Sequence, residues 1–239
     1  MKSRFFVKIF LLIILATGAQ AGVIEDTVAS LKNLDISIKI LFLITVLSLA
    51  PSILITVTSF TRIVIILSLL RHALGIPQSP PNQVIIALSL FLTFFIMKPV
   101  FIEINKDAIT PYMHKEINDT EFIDRATKPI KKFMFENTQK KDLKLFIDLA
   151  KEKPKNIDDL SLTTLIPAFL VSEIKIAFEV VFVIFLPFLV IDLLVASILM
   201  SMGMMMIPPM MISLPFKLIL FILAGGWELL IKALIVGYK

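Results

Sequence analysis

The sequence of 239 residues contains no cysteine and only two histidines, His72 and His114. The absence of cysteine excludes disulfides, thiolate catalysis and Cys-ligated metal sites, and two histidines are too few for a His-rich metal centre. Gly-rich phosphate loops and the motifs of metalloproteases and α/β-hydrolases are also missing from the sequence. We therefore expect a protein that is not an enzyme and that binds no cofactor.

Charge is scarce as well, since only 18% of the residues are charged, against about 25% in soluble domains. Hydrophobic residues make up 57% of the chain, and the mean hydropathy is +0.92. Long apolar runs of this kind predict an all-α integral membrane protein. The net charge of +5 is spread over loops and segment ends, which argues against nucleic-acid binding.

The N-terminus has the pattern of a secretory signal peptide. Lys2, Arg4 and Lys8 precede a short apolar core at 9–15, and Ala-Gln-Ala follows at 19–21. This arrangement predicts a signal peptide at residues 1–21 and a mature chain that begins outside the cytoplasm. The alternative is a first transmembrane helix, for which the apolar core is short.

Four apolar blocks follow, at residues 36–70, 84–104, 162–200 and 207–236. The first and third are nearly twice the roughly 20 residues that cross a bilayer, and they contain Pro51 and Pro187. Proline kinks a helix and frees a carbonyl, which neighbouring helices must then satisfy. We predict bent helical hairpins at 22–104 and 161–239.

Residues 105–160 form the polar part of the chain, and the predicted topology places them in the periplasm. Their 12 Lys/Arg conflict with the positive-inside rule, but we give the signal peptide more weight. Asn118 with Glu121 predicts a helix start, and Pro129 predicts a bend or split in that helix. The apolar faces that include Phe133 and Phe146 are predicted to pack on another chain or on the same chain.

Charged residues in the third apolar block need partners, because an ionisable group in lipid is costly. Lys175 and Glu179 stand at i, i+4 and can pair along the helix. For Glu173 we expect an ion pair between helices or subunits, or contact with a water-filled lumen. The alternative for Glu173 is a position near the membrane surface, with its carboxylate in water.

Asp192 lies deeper in the same block, so a cationic partner is expected. Lys217 and Arg62 are both candidates for this partner, and the sequence does not choose between them.

Methionine is concentrated in one place, since seven of the 11 methionines fall between positions 200 and 211. The flexible, polarizable thioether conforms to irregular or changing surfaces. The run is therefore either a gap-filling helix end or a deformable seal. The predicted topology puts it at a cytoplasmic-side turn.

Several contiguous motifs resemble the FliP family, the flagellar members of the bacterial type III secretion export gate. They lie at residues 60–63, 70–75, 80–84, 90–97, 172–175, 185–189, 191–193, 202–206 and 214–217. Two positions depart from the family pattern. Gly225 stands where an acidic residue usually precedes Gly-Trp, and Glu179 adds a carboxylate.

The resemblance implies a pentamer-like homo-oligomer with FliQ and FliR, forming a ring-like helical complex in the bacterial inner membrane at the flagellar basal body. It would pass unfolded flagellar proteins through a Met-lined constriction. The implied gate residues are Met202, Met204, Met205 and Met206, on a turn supported by Gly203, Pro208 and Pro209.

Two other functions are compatible with the sequence. An ion- or proton-coupled transporter would use Glu173, Lys175 and Asp192 as its coupling site, since broken helices and buried charge also fit that class. A scaffold for assembly of a larger complex is the third reading.

Overall fold

A computed structural model describes residues 44, 45, 48, 51–154, 156–204 and 207–238. Every regular element within these residues is helical, so the all-α prediction is confirmed for them. The predicted signal peptide and two of the predicted gate residues, Met205 and Met206, lie outside the described residues.

The described elements begin with a helical segment, Pro51–Val57. The following elements are α1 Phe60–Ala73, α2 Asn82–Ile104, a π-helical stretch Asn105–Ile109, α3 Thr110–Met113, α4 Asp119–Asn137, α5 Lys140–Ala150, α6 Leu162–Ser201, α7 Pro209–Leu223 and α8 Gly226–Val236.

Two helical stretches are long and apolar enough to cross a membrane, Asn82–Met113 with 32 residues and α6 with 40 residues. The segment Pro51–Val57 with α1 and the pair α7 with α8 also pass this test when each pair is counted as one span, which gives up to four. Helix α7 meets α8 at a bend of 62°. The fourth predicted block is therefore two helices.

Neither Pro187 nor Pro129 splits its helix, and a bend at either proline stays a prediction. Helix α6 continues through Pro187, and α4 continues through Pro129 without being split. A proline removes one backbone donor, but the rest of a long helix keeps its hydrogen bonds. Each proline is therefore accommodated within one helix.

The chain divides into two compact units. We call the described residues of 1–59 and 97–172 the polar unit, and those of 60–96 and 173–239 the apolar unit. Helices α2 and α6 contribute residues to both.

The core of the apolar unit is built around α1. Ile63, Ile66, Leu67 and Leu70 repeat with helical periodicity and are at most 2% exposed. They belong to one hydrophobic cluster with buried residues of the other helices, namely Ile85, Leu92, Ala177, Val181, Phe188, Phe221, Leu230 and Leu234. Burial of each large side chain contributes about 1.5–3 kcal/mol, so this cluster holds the helices of the unit together.

In the polar unit, Asn118 caps α4 as predicted, since its side chain accepts a hydrogen bond from the Glu121 N–H at 2.8 Å. The Glu121 carboxylate pairs with Arg125 one turn later. The predicted face of α4 is buried at Phe122, Ala126, Phe133 and Met134, and half-buried at Ile123 and Ile130.

The two glycines between α7 and α8 have different environments. Gly225 adopts a left-handed conformation with φ of 61°, and nothing lies within 4 Å of the place a Cβ would take. A Cβ on Gly226 would lie 2.3 Å from the Phe221 ring. The ring of Phe221 in turn packs edge-on against Trp227, with centroids 5.5 Å apart. The sequence Gly-Gly-Trp is therefore both a helix break and a close-packing point.

Candidate functional site

A buried ion pair joins α1 to α6 in the apolar unit. Arg62 donates through Nη2 to Glu173 Oε1, and the two side chains are 5% and 0% exposed. Glu173 Oε2 accepts a hydrogen bond from the Tyr238 hydroxyl at 2.6 Å. The Arg62 guanidinium also donates to the Gly237 carbonyl at 3.1 Å and lies 3.9 Å from the centroid of the Tyr238 ring.

Both carboxylate oxygens of Glu173 are thus engaged inside the unit. The alternative in which Glu173 reaches water near the membrane surface is wrong, because its side chain is fully buried. A buried charge is tolerated when it is paired and its remaining lone pairs are satisfied, and the Tyr238 hydroxyl supplies the second hydrogen bond.

A second ion pair links α6 to α7. Lys217 Nζ lies 2.6 Å from Asp192 Oδ2, and the Ser213 hydroxyl donates to Asp192 Oδ1 at 2.5 Å. Lys217 Nζ also lies 3.4 Å from the Ala73 carbonyl. Lys217 is 3% exposed and Asp192 is 31% exposed. Of the two candidates for Asp192, the structure brings Lys217 to it and places Arg62 at Glu173.

Lys175 and Glu179 are both exposed on α6. No ion pair forms between them, although they stand one helical turn apart. Glu179 forms no ion pair with any residue that the structure describes.

The turn after α6 begins with a Schellman motif, which satisfies the last carbonyls of a helix. The N–H of Gly203 donates to the Met200 carbonyl at 3.1 Å, and that of Met204 donates to the Leu199 carbonyl at 3.0 Å. Gly203 has a φ of 76°, a conformation that glycine adopts without steric cost. Helix α7 then starts at Pro209, after Pro208 in an extended conformation.

The methionines around this turn are mostly exposed. Met200, Met202, Met210 and Met211 are 61–71% exposed, and Met204 is half-buried. We call residues 200–211 the methionine turn. The chain therefore uses the described methionines here largely as surface side chains, which does not fit the gap-filling alternative.

The turn between α1 and α2 lies beside the start of α7. Gly75 has a φ of 80°, and a Cβ there would lie 3.5 Å from Leu214 and 4.0 Å from Met210. A small residue at this position thus allows the α1–α2 turn to approach the methionine turn closely.

Two hydroxyl partners of these charges were missed by the sequence analysis, Tyr238 and Ser213. Tyrosine is rare in this chain, with two in 239 residues, and a rare polar side chain after an apolar helix is a weak signal for a buried partner. Ser213 gives no such signal, because a serine in an apolar helix usually bonds its own backbone. Ser213 does so too, with the Met210 carbonyl at 3.2 Å.

In the polar unit, Phe133 is 5% exposed, and its ring lies 6.0 Å from that of Phe169 on α6. Phe146 is half-buried. The nearby Ser172 hydroxyl donates to Asp142 at 2.9 Å and accepts from the Gln139 N–H at 2.9 Å. Phe133 thus packs within its own chain.

In the part of the chain that the structure describes, no group of three or more His, Asp or Glu side chains is placed to bind a metal ion.

Sequence comparison places these features in a family. Residues 43–234 match the model of the FliP family. The chain belongs to the FliP family. The matched range includes both ion pairs and the whole methionine turn. Tyr238 and Gly237, which contact the Arg62–Glu173 pair, lie beyond it.

Individual relatives agree with this assignment. The chain is 55% identical over 208 residues to the flagellar biosynthetic protein FliP of Bacillus subtilis (strain 168). This alignment covers 87% of the chain and 94% of the relative. It is 56% identical over 210 residues to FliP of Aquifex aeolicus (strain VF5), covering 87% and 88%. FliP of Caulobacter vibrioides is 49% identical over 223 residues, covering 93% and 80%.

Proposed function

We propose that this FliP-family chain is a channel-forming subunit of the flagellar type III protein export gate in the bacterial inner membrane. The relatives are named for flagellar biosynthesis, and the described helices include spans apolar enough for a membrane. The polar unit would face the periplasm, as the signal peptide predicts.

The observation that carries the proposal is the methionine turn. It combines four exposed methionines with a backbone fixed by Gly203 and Pro208. A narrow apolar constriction blocks water and ions by dewetting. Thioether side chains can repack around the varied side chains of an unfolded protein in transit. A ring of such turns would therefore seal the channel and still admit substrate.

An assembly of several copies is supported by the apolar surface of the described residues. Large side chains of α2, α6, α7 and α8 are exposed, for example Phe91 at 74%, Phe182 at 64% and Leu223 at 81%. Lipid covers part of such a surface, but helices in membranes also associate through it. We propose a pentamer-like homo-oligomer that assembles with FliQ and FliR.

The buried charges fit a structural role in this gate better than ion coupling. Glu173 and Asp192 each have a cation and a hydroxyl within their own unit. A proton-coupled transporter needs a carboxylate that releases its partner during the cycle. Arg62 and Lys217 are instead held by additional backbone carbonyls.

The test is substitution of the central methionines in the assembled gate. Met204→Ala, Met205→Ala and Met206→Ala together should raise the ion conductance of membranes that contain the complex, because the seal loses bulk. Met113→Ala is the matched control, since Met113 is 66% exposed but lies in α3, away from the turn in sequence.

The channel proposal fails if the triple variant conducts no more than the Met113→Ala control. The transporter alternative gains support if, in addition, Glu173→Gln with Asp192→Asn abolishes a solute gradient. The mass of the purified complex and its co-purifying proteins tests the proposed oligomer and partners.

A further inference from the structure

Two exposed charged side chains of the apolar helices, Lys98 and Glu179, lie beside large apolar side chains. Lys98 lies on α2 and Glu179 on α6. Neither forms a hydrogen bond or ion pair with any residue that the structure describes. Arg62, Glu173 and Asp192, in contrast, each form an ion pair.

Local partners along the helix do not neutralise the two charges. The positions three and four residues from Lys98 are all apolar, namely Phe94, Phe95, Phe101 and Ile102. Glu179 has Lys175 one turn earlier, but a Lys that precedes a Glu is the weaker order for pairing along a helix.

Both charges lie within exposed apolar faces. The face around Lys98 presents Phe94, Phe95, Phe101 and Ile102, each 41–61% exposed. The face around Glu179 presents Phe178, Phe182, Val183 and Leu186, each 43–64% exposed. An isolated charge facing lipid is costly, so each face requires a partner that brings the opposite charge.

One chain therefore carries one apolar face that contains the cation Lys98 and another that contains the anion Glu179, with Lys175 one turn before it. Faces that differ in this way form heterologous contacts, in which one surface of a copy meets the other surface of the next copy.

The positions of the two charges along their helices are compatible with this contact. The α1–α2 turn lies beside the methionine turn, so both rises are counted from this end of the helices. Lys98 follows the start of α2 by 16 residues (98 − 82), and Glu179 precedes the end of α6 by 22 residues (201 − 179). At 1.5 Å per residue these are rises of about 24 Å and about 33 Å. The difference is less than two helical turns, which two long side chains and a modest tilt accommodate.

We propose that Lys98 of one copy forms an ion pair with Glu179 of the neighbouring copy, within an apolar contact between α2 and α6. The proposal rests on the homo-oligomer of the proposed function. Glu228 and Lys232 are less suited to this role, because they stand at i, i+4 on α8 in the order that favours pairing with each other.

The absence of native cysteine permits a direct test. One tagged chain carries Lys98→Cys, and a second chain with a different tag carries Glu179→Cys. The two are co-expressed with the other gate proteins and treated with a short bifunctional thiol-reactive cross-linker. A product that contains both tags arises only between copies, and we expect it in the purified complex.

The matched control replaces Lys98→Cys by Ile86→Cys, on the same helix and 46% exposed. It lies 12 residues earlier, about 18 Å along the axis, and should give no product with Glu179→Cys. Equal products from both pairs, or a product only between Lys98→Cys and a different protein, would overturn the proposal.

Charge reversal gives a second readout. Lys98→Glu alone and Glu179→Lys alone should each cause loss of the oligomer on native gels, and the double variant should restore it. The ion pair alone is refuted if the double variant does not restore the oligomer and the cysteine pair gives no cross-link, while the purified complex still contains several copies. A purified complex with a single copy refutes the proposed homo-oligomer as well.

Discussion

Glu173 and Asp192 of the apolar unit are stabilised differently from Glu152 of the polar unit. In the apolar unit, Glu173 and Asp192 each accept hydrogen bonds from one cation and one hydroxyl. In the polar unit, Glu152 accepts from the hydroxyls of Ser161 at 2.5 Å and Thr164 at 2.8 Å. Where water is excluded, an ionised carboxylate needs an opposite charge. Where water remains near, neutral donors are sufficient.

The largest effect is expected at Glu173. Glu173→Ala leaves Arg62 buried without a carboxylate, which costs about 3–5 kcal/mol for a buried pair that loses one partner. We expect a large drop in the thermal unfolding temperature of the detergent-purified protein, followed by its helical circular dichroism, and fewer large detergent-stable complexes.

Glu121→Ala in the polar unit is the control for this comparison. Its pair with Arg125 is 40–44% exposed, and exposed pairs on a helix contribute about 0.3–0.5 kcal/mol. If Glu173→Ala and Glu121→Ala lower the unfolding temperature by similar amounts, the ion pair of the apolar unit stabilises the fold no more than a surface pair does.

Asp192→Ala should have an intermediate effect. It removes the partner of Lys217, but Asp192 is 31% exposed and Lys217 keeps the Ala73 carbonyl. We expect a loss of about 1–3 kcal/mol, the cost of an unsatisfied buried group. In the double variant Asp192→Ala, Lys217→Met, part of the stability should return, because no charge is left buried. A double variant that is no more stable than Asp192→Ala contradicts this account.

A smaller effect is expected at Glu152, and it depends on pH. The hydroxyls of Ser161 and Thr164 lower the pKa of the Glu152 carboxyl below its ordinary value. Because the pKa of Glu152 is lower in the folded state, its stabilisation of the fold is complete above the pKa of the unfolded state, about 4. This stabilisation is lost as the pH falls further, through the pKa of the folded state.

Glu152→Gln should therefore reduce stability by about 0.5 kcal/mol at neutral pH, the low end of one hydrogen-bond contribution because water competes at this partly exposed carboxylate, and remove this part of the acid dependence. Unfolding temperatures measured between neutral and acidic pH test the prediction, with Asp124→Asn as the control in an exposed pair with Lys128. An unchanged acid slope in Glu152→Gln would refute it.

Apolar runs and turn residues predicted much of the fold. The second and third blocks were expected at 84–104 and 162–200, and the helices lie at 82–104 and 162–201. The break between α7 and α8 divides the fourth block, because Gly225 and Gly226 interrupt an otherwise apolar run. Hydropathy alone does not report such an interruption, since both sides remain apolar.

The site was predictable in kind and less so in detail. Buried charge in α6 required cations, and the sequence supplied Arg62 and Lys217 as the candidates. Their assignment depends on how helices that are far apart in sequence pack together, as in the contact between Arg62 and Glu173 across 111 positions. No local pattern carries that information.

The two glycines before Trp227 differ in how well the structure tolerates a side chain at each position. At 225 the backbone is left-handed and the space beside it is open, so Asp or Asn, which tolerate this conformation, can replace glycine there. At 226 even the methyl group of alanine would have to displace Phe221. The acidic residue that the family resemblance leads one to expect at 225 and the glycine found here are thus two solutions for the same backbone. Any side chain at 226, in contrast, requires the Phe221 ring to move.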